Sequence, residues 1–390
     1  MTAATAIVDW VLSTPLIDGV FFGSSDGETE GPPICAVAVA GQLRGYGKGL
    51  TQSQALASAV GEVLELQAAA QPDPTRLILA PFADIAAQAF DPRWLCLYSP
   101  MQYQRPLFPF KPFDPLQPIH WIQGRWSDTG ERVYLPAFAV YLSDQLAPEA
   151  LCQVTSNGLA AGISYEAARD HAVLELYERD AFLLSWLAQL PKTKVDPLQL
   201  PPSTAHIIEH LQTRGARTEV YLLAEGPPAL VALAVGIGDG IEWPAYTLGL
   251  GAAQNSGGAI EKAILELGQT SPSLARIWRR QETSVPARPQ DIKTLREHAL
   301  YYCDPSHRSE FQSWLAAPAG LSNISSLNVR IATVDITPSN LIDSPFQVVR
   351  ALGKGLQPIY CGYGFEQVAC ERLTNLLNGA STNSAPCPIY

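Results

Sequence analysis

Apolar and polar positions alternate along this chain with two periods, and the changes between them mark out its elements. The clearest helical stretch starts at Glu166 and meets no glycine or proline until Pro191, with Ser164 placed as its N-cap. Two further helices share this layout. They are capped by Thr51 and Asn255, and Thr51 has Gln54 at the capping-box position. Residues 1–16 and 205–215 are expected as shorter helices. Strands are expected at residues 34–39, 119–126, 131–141, 218–223, 229–236, 243–249, 328–335 and 346–352. Residues 127–130, Ser-Asp-Thr-Gly, turn the second of these into the third. The glycine-rich segment 41–49 is expected as a turn and loop feeding the first capped helix, a geometry whose N–H groups suit an anion. Residues 71–116 are proline-rich, with aromatics and prolines interleaved from Phe108 to Phe113; an extended surface arm and a packed loop are both open. Strand and helix alternate without a regular βαβ period, so a single α+β unit with mixed sheets is expected over residues 1–390.

One spacing recurs inside the three capped helices. It runs Ala55-x-x-Ser58-Ala59-x-x-Glu62-x-x-Glu65, then Ala168-x-x-His171-Ala172-x-x-Glu175-x-x-Glu178, then Ala259-x-x-Lys262-Ala263-x-x-Glu266-x-x-Gln269. At about 100° per residue, the first Ala, the Ser/His/Lys and both acid or amide positions fall within an arc of roughly 80°. Taken singly, each copy could be the solvated face of an amphipathic helix. Three capped copies argue for convergence, and five carboxylates brought together repel one another unless a cation joins them. Paired acids on a helix face suit Mg²⁺ on a nucleotide's phosphates. The loop before the central helix, Ser156-Asn157-Gly158, supplies polar caps, and Glu166 adds an acid to the first turn.

Composition narrows the classes. The formal charge of −11 argues against a nucleic-acid surface or an anionic membrane. The seven cysteines form no Cys-x-x-Cys pair, which speaks for free thiols in a reducing cytoplasm rather than zinc ligands or a disulfide framework. No basic region followed by an apolar core opens the chain, so no signal peptide is expected. Five of the six histidines, at 120, 206, 210, 298 and 307, show no metal-ligand spacing. By composition only the last dozen residues look poorly suited to folding.

Taken together, these motifs resemble the YcaO family of ATP-dependent enzymes that activate peptide-backbone amides. The resemblance rests on Gly47-Lys48-Gly49 through Glu65, on Ser156 through Asp180 and on Ala259 through Gln269. It extends to Trp121-Ile122-Gln123-Gly124, Val133-Tyr134-Leu135-Pro136-Ala137, Asp335-Ile336-Thr337, Phe346-Gln347-Val348-Val349-Arg350 and Gly355-Leu356-Gln357-Pro358. The chain departs from the family pattern at Leu66, Ala167, Lys262 and Lys354.

The resemblance implies three motif helices, in regions 47–66, 155–180 and 251–270, converging on a central nucleotide site. Glu62, Glu65, Glu175, Glu178 and Glu266 would hold Mg²⁺ or order its waters. Lys48 and Arg179 would neutralise phosphate, with Ser58, Ser156, Asn157, Glu166, Lys262 and Gln269 around the ATP. His171 is open between a structural and a phosphate or proton-transfer role. The family makes azolines, thioamides or amidines. Azoline-forming members typically end Pro-x-Pro-x-Pro, and this chain ends Pro386-Cys387-Pro388-Ile389-Tyr390. A proline-stiffened tail at 380–390 could carry the Tyr390 carboxylate into the site as a proton acceptor. The implied partners are a precursor peptide, a separate adenylating-enzyme-like subunit that binds its leader, and a flavin-dependent azoline dehydrogenase; a homodimer is left open. The competing readings are a thioamide or amidine synthase and a nucleotide-binding scaffold without turnover.

Overall fold

Each of the three capped helices lies on the edge strand of its own antiparallel sheet. The computed structural model describes residues 3–23, 31–224, 226, 228–317, 320, 329–341 and 343–389. The first sheet has the order β1 (Gly19–Gly23), β2 (Ile34–Ala40), β3 (Leu43–Gly49). The second runs β4 (Leu77–Pro81), β5 (Pro118–Trp126), β12 (Ile331–Asp335), β13 (Gln347–Gly353), β7 (Leu159–Gly162), with β6 (Arg132–Pro136) also paired to β5. The third runs β11 (Tyr246–Ala253), β10 (Leu230–Ile237), β9 (Arg217–Ala224), β8 (Thr193–Lys194). The expected α+β architecture is what forms. Among the described residues every pairing between these strands is antiparallel, because neighbouring strands are joined by hairpins or long excursions rather than right-handed helical crossovers, and a single isolated bridge, Ala89 to Tyr134, is parallel.

The motif helices are Gln52–Ala70, Tyr165–Leu187 and Ser256–Arg280. Thr51, Ser164 and Asn255 cap them as the spacing anticipates, each side chain accepting from an N–H in the first turn, and Gln54 completes the box on Thr51. Segment 41–49, expected as a loop, is instead mostly strand β3, paired along its length with β2. Its glycines explain the misreading. Gly45, Gly47 and Gly49 face the first helix so closely that a Cβ on Gly45 or Gly47 would collide with the Ala59 or Ala55 carbonyl oxygen. Gly249 and Gly251 of β11 meet Ala263 and Ala259 in the same way, and Gly162 of β7 abuts Ala168. The recurring Ala-x-x-x-Ala is therefore a packing edge on which helix backbone meets strand backbone. A methyl group at Gly249 should force the third helix off β11: Gly249→Ala is expected to destabilise the protein by about 1–3 kcal/mol in denaturant unfolding.

Each motif helix also leans on the next sheet. The first touches β7, the central one touches β11 and the third touches β3, closing a ring of three helices and three edges. The C-terminal half of the central helix packs Phe182, Leu183, Trp186 and Leu187 on one face of the third sheet. The third helix and the Ala205–Thr213 helix cover the opposite face with Ile207, Leu211, Ile264 and Leu267. Strand β10 is thus buried on both faces, which is why it reads as continuously apolar.

Three local expectations change. Residues 137–140 form a short helix, Ala137–Val140, rather than extending β6. The proline-rich stretch packs rather than projects: Phe108 and Phe110 lie against Tyr98 and Phe365, with ring centroids 4.8–6.5 Å apart. The tail is not loose either, since Cys387 and Ile389 join the core formed with Trp186, Tyr302 and Tyr360. All seven cysteines are free.

Candidate functional site

The three edge strands leave outward N–H groups without a neighbouring strand, and the helix acids take them. Tyr46 of β3 donates to Glu62 Oε2 at 2.6 Å, Ala161 of β7 to Glu65 Oε1 at 2.6 Å, and Leu250 of β11 to Glu266 Oε1 at 3.4 Å. Glu65, on the first helix, feels the charge of Glu175 on the central one, and Glu178 feels that of Glu266 on the third. Two cations sit among them. Lys48 Nζ lies 3.1 Å from Glu266 Oε2, while Arg179 lies 3.5 Å from Glu178 and 4.0 Å from Glu266. All five expected carboxylates, Lys48 and Arg179 are thereby gathered at one place from elements up to 218 residues apart.

Electrostatics there are unbalanced. Burial pushes Glu65 up to about 8 and Glu175 up to about 7 from the ordinary carboxylate value of 4.5, with Glu175 and Glu62 adding to the first and Glu178 to the second. Burial also raises Glu178, which Arg179 only partly offsets. Burial works against ionisation of Glu266 as well, but Lys48 and Arg179 outweigh it and hold that carboxyl below the ordinary range. Burial, and the Lys262 ammonium after it, holds His171 below its usual value, so the imidazole is neutral near pH 7.

Not every expected residue joins the cluster. Ser58, Ser156 and Glu166 are exposed, and Gln269 is half-buried. Lys262 Nζ donates to the Ala252 carbonyl at 3.0 Å while standing in the field of Glu178. Asn157 is buried with Oδ1 lacking a hydrogen-bond partner. Tyr390 lies outside the described residues. In the segment before it, Cys387 stands within electrostatic range of Arg179. Two residues were not singled out from sequence. Arg350, on β13, is buried within reach of the Glu175 charge, with Nη1 unpartnered. Asp180, next to Arg179, anchors the Glu371–Leu377 helix through Arg372 at 2.7 Å. Arg350 lay in a recognised motif but carried no spacing cue, and Asp180 looked like one more helix acid.

The family model described as YcaO cyclodehydratase, ATP- and Mg²⁺-binding, matches residues 46–356. The chain belongs to the YcaO family. An uncharacterised protein of Methanothermobacter thermautotrophicus is 30% identical over 230 residues, covering 57% of this chain and 56% of that protein. The chain thus spans about half the length of the curated relative it matches. Among solved structures, a heterocyclase in complex with substrate and cofactor superposes with a TM-score of 0.77 at 18% identity, covering all of this chain and 57% of that one. The YcaO protein of Methanopyrus kandleri, bound with AMPPCP and Mg²⁺, superposes with a TM-score of 0.65 at 20% identity over 91% of both chains. At these identities the structural likeness establishes the fold.

ATP and Mg²⁺ are the cofactors of the YcaO family, and the residues of this cluster fit them. Among the described residues no three His, Cys, Asp or Glu side chains are gathered closely enough to ligate one ion as they stand. Mg²⁺ does not ask for such a cage; it keeps waters and binds through one or two carboxylates together with phosphate oxygens. An all-oxygen acid set, carboxylates whose ionisation burial and then neighbouring acids oppose, and polar atoms without a hydrogen bond on Asn157 and Arg179 are what a Mg²⁺–nucleotide would satisfy. No helix among the described residues is long and apolar enough to cross a membrane.

A pH dependence follows. Glu65 and Glu175 have folded values above the unfolded one, so the stability they contribute is complete below about 4.5 and is lost as pH rises through 7 to 8. The apo-protein's thermal midpoint should therefore fall between pH 6 and pH 8.5. Saturating Mg²⁺–ATP should remove most of that slope, and calorimetry in two buffers should show protons released on binding.

Proposed function

We propose that this chain is an ATP-dependent cyclodehydratase acting on a ribosomally made precursor peptide, forming thiazolines or oxazolines from Cys, Ser or Thr. The thiol or hydroxyl adds to the preceding carbonyl, and the adduct reverts unless its oxygen leaves; bound ATP supplies the phosphoryl group that makes that oxygen a leaving group. The protein's part is positioning and charge neutralisation rather than covalent catalysis. Glu62, Glu65, Glu175, Glu178 and Glu266 would hold Mg²⁺ or its waters. Arg179 and Lys48 would balance phosphate charge, and Asn157 would hydrogen-bond the nucleotide.

The observation that favours azoline formation over thioamide or amidine synthesis is that Pro386, Cys387, Pro388 and Ile389 are buried, with Cys387 in electrostatic range of Arg179. Carboxylates committed to a metal are poor bases, and Tyr390, which follows this segment in sequence, is the group to which this reading assigns the proton released on cyclisation. A scaffold without turnover is disfavoured because the five acids and both cations are retained and assembled.

The peptide would be delivered by a separate leader-binding, adenylating-enzyme-like subunit, with a flavin-dependent dehydrogenase to oxidise azolines; a second copy of the chain is compatible with this. Incubating the protein with ATP, the leader-binding partner and a candidate precursor peptide tests the reading by mass spectrometry. A loss of about 18 Da per site is expected, as one water leaves for each ring formed. Omitting the partner should leave slow ATP hydrolysis and little modification. An oxygen-to-sulfur exchange of about +16 Da per site would replace azoline formation with thioamidation.

A further inference from the structure

Pro386 and Pro388 have no N–H, so the tail cannot be held by an unbroken backbone ladder; it is held through its carbonyls. Three successive carbonyls are taken by three buried side chains. Trp186 Nε1 donates to the Ala385 oxygen at 3.1 Å, and Tyr302 Oη donates to the Pro386 oxygen at 2.6 Å. His298 Nδ1 bonds the Cys387 oxygen at 2.8 Å. His298 Nε2 is bonded to the Gly362 N–H at 3.1 Å. A backbone N–H can only donate, so Nε2 must be the bare nitrogen and Nδ1 carries the hydrogen that reaches Cys387.

The placement of the three donors is telling. Trp186 belongs to the central motif helix that also carries Glu175, Glu178 and Arg179. His298 lies in the helix Leu295–Tyr301 and Tyr302 caps it. All three are at most 1% exposed. A core at this place needs only apolar shape, and Phe311 and Trp314 already provide that around Trp186. The extra N–H and O–H groups instead tie the path of residues 385–387 to two helices: three successive carbonyls each meet a buried donor, and deleting a donor leaves a buried carbonyl unpaired.

We infer that His298, Tyr302 and Trp186 are positioning residues of the reaction, clamping carbonyls 385–387 so that Cys387 stays within range of Arg179 and the tail keeps a single course past it. The inference rests on the role given to the tail above. The clamp is tied to the site by geometry, since Trp186 and Arg179 share one helix, and Cys387 lies within electrostatic reach of Arg179.

The test uses the full chain with its partner and peptide. Tyr302→Phe deletes one hydroxyl, and His298→Phe deletes both ring hydrogen bonds. His298→Asn keeps a donor near the Nδ1 position. Tyr302→Phe and His298→Phe should each lower kcat for cyclisation about tenfold or more, with peptide KM and the Mg²⁺–ATP Kd unchanged within about twofold. Amide hydrogen exchange at Cys387 and Ile389 should quicken in both, and His298→Asn should recover most of the lost rate. Combined with removal of residues 388–390, neither variant should cost more than that removal alone, because both act through the tail. Losses that add to the truncation, or that fall equally on nucleotide binding, would reduce these side chains to core packing and overturn the inference. Unchanged kcat and exchange in both variants, with a truncation that still cripples cyclisation, would overturn it while leaving the tail's role intact. A truncation without effect on cyclisation would remove the tail's role and the inference with it.

Discussion

Glu175→Gln is expected to hydrolyse ATP at least about 100-fold more slowly than the parent while melting no lower, and to melt higher at pH 8. The two effects have one cause. Glu175 lies half-buried in the field of Glu178 and Glu65, and its carboxyl is pushed up to about 7, so ionising it at pH 8 costs stability in the folded state. Glutamine keeps the shape and removes the charge. At pH 5, where Glu175 is already protonated, the stability gain should vanish while the activity loss remains. Glu178→Gln should lose activity similarly but gain less stability, because Glu178 lies 3.5 Å from Arg179 and its removal leaves that buried guanidinium with Glu266 at 4.0 Å. Phosphate release and thermal unfolding on the same preparations measure both effects. Normal turnover in both variants would take the metal role away from these acids.

The second large effect is expected at the tail. Removing residues 386–390, or appending a short glycine-serine extension after Tyr390, should cut cyclisation by about 100-fold or more while changing the Mg²⁺–ATP Kd only a few-fold. Proline fixes φ near −65°, and an extended left-handed segment advances about 3 Å per residue, so five residues reach roughly 15 Å. Pro386 through Ile389 are buried along that path. The extension is the gentler variant, since it leaves the buried Cys387 and Ile389 side chains in place. Leader-dependent cyclisation at the parental rate in the extended chain would show that a different group takes the proton.

What could be read from the amino-acid sequence was what local chemistry dictates. Thr51, Ser164 and Asn255 cap their helices because a side-chain oxygen reaches an N–H within a few residues. The Ala and Glu positions share a helix edge by periodicity alone. The misreadings came where partners are distant in sequence. Segment 41–49 looks like a loop because its inward positions are glycines; only the first helix lying against them makes Gly45, Gly47 and Gly49 the inner face of a strand. The tail looks unstructured because its donors, Trp186, His298 and Tyr302, come from 84 to 199 residues upstream. Arg350 and Asp180 matter through contacts made across sheets, which no spacing encodes.

An arch stands on its keystone, and β3, β7 and β11 are three abutments that come together without a shared hydrogen-bond ladder. The helix acids bonded to their facing edges repel one another across the seam, so in the empty protein parting it relieves some of that repulsion. A bound Mg²⁺–nucleotide would lock all three edges at once, adding about 2.7 kcal/mol at a concentration one hundred times its Kd. Amides on these three strands should then slow their exchange together when nucleotide is added, rather than one sheet at a time. Product release from such a joint is a matter of the masonry parting: turnover would be paced by how readily three sheets move apart, and a stiffer seam would bind more tightly yet work more slowly.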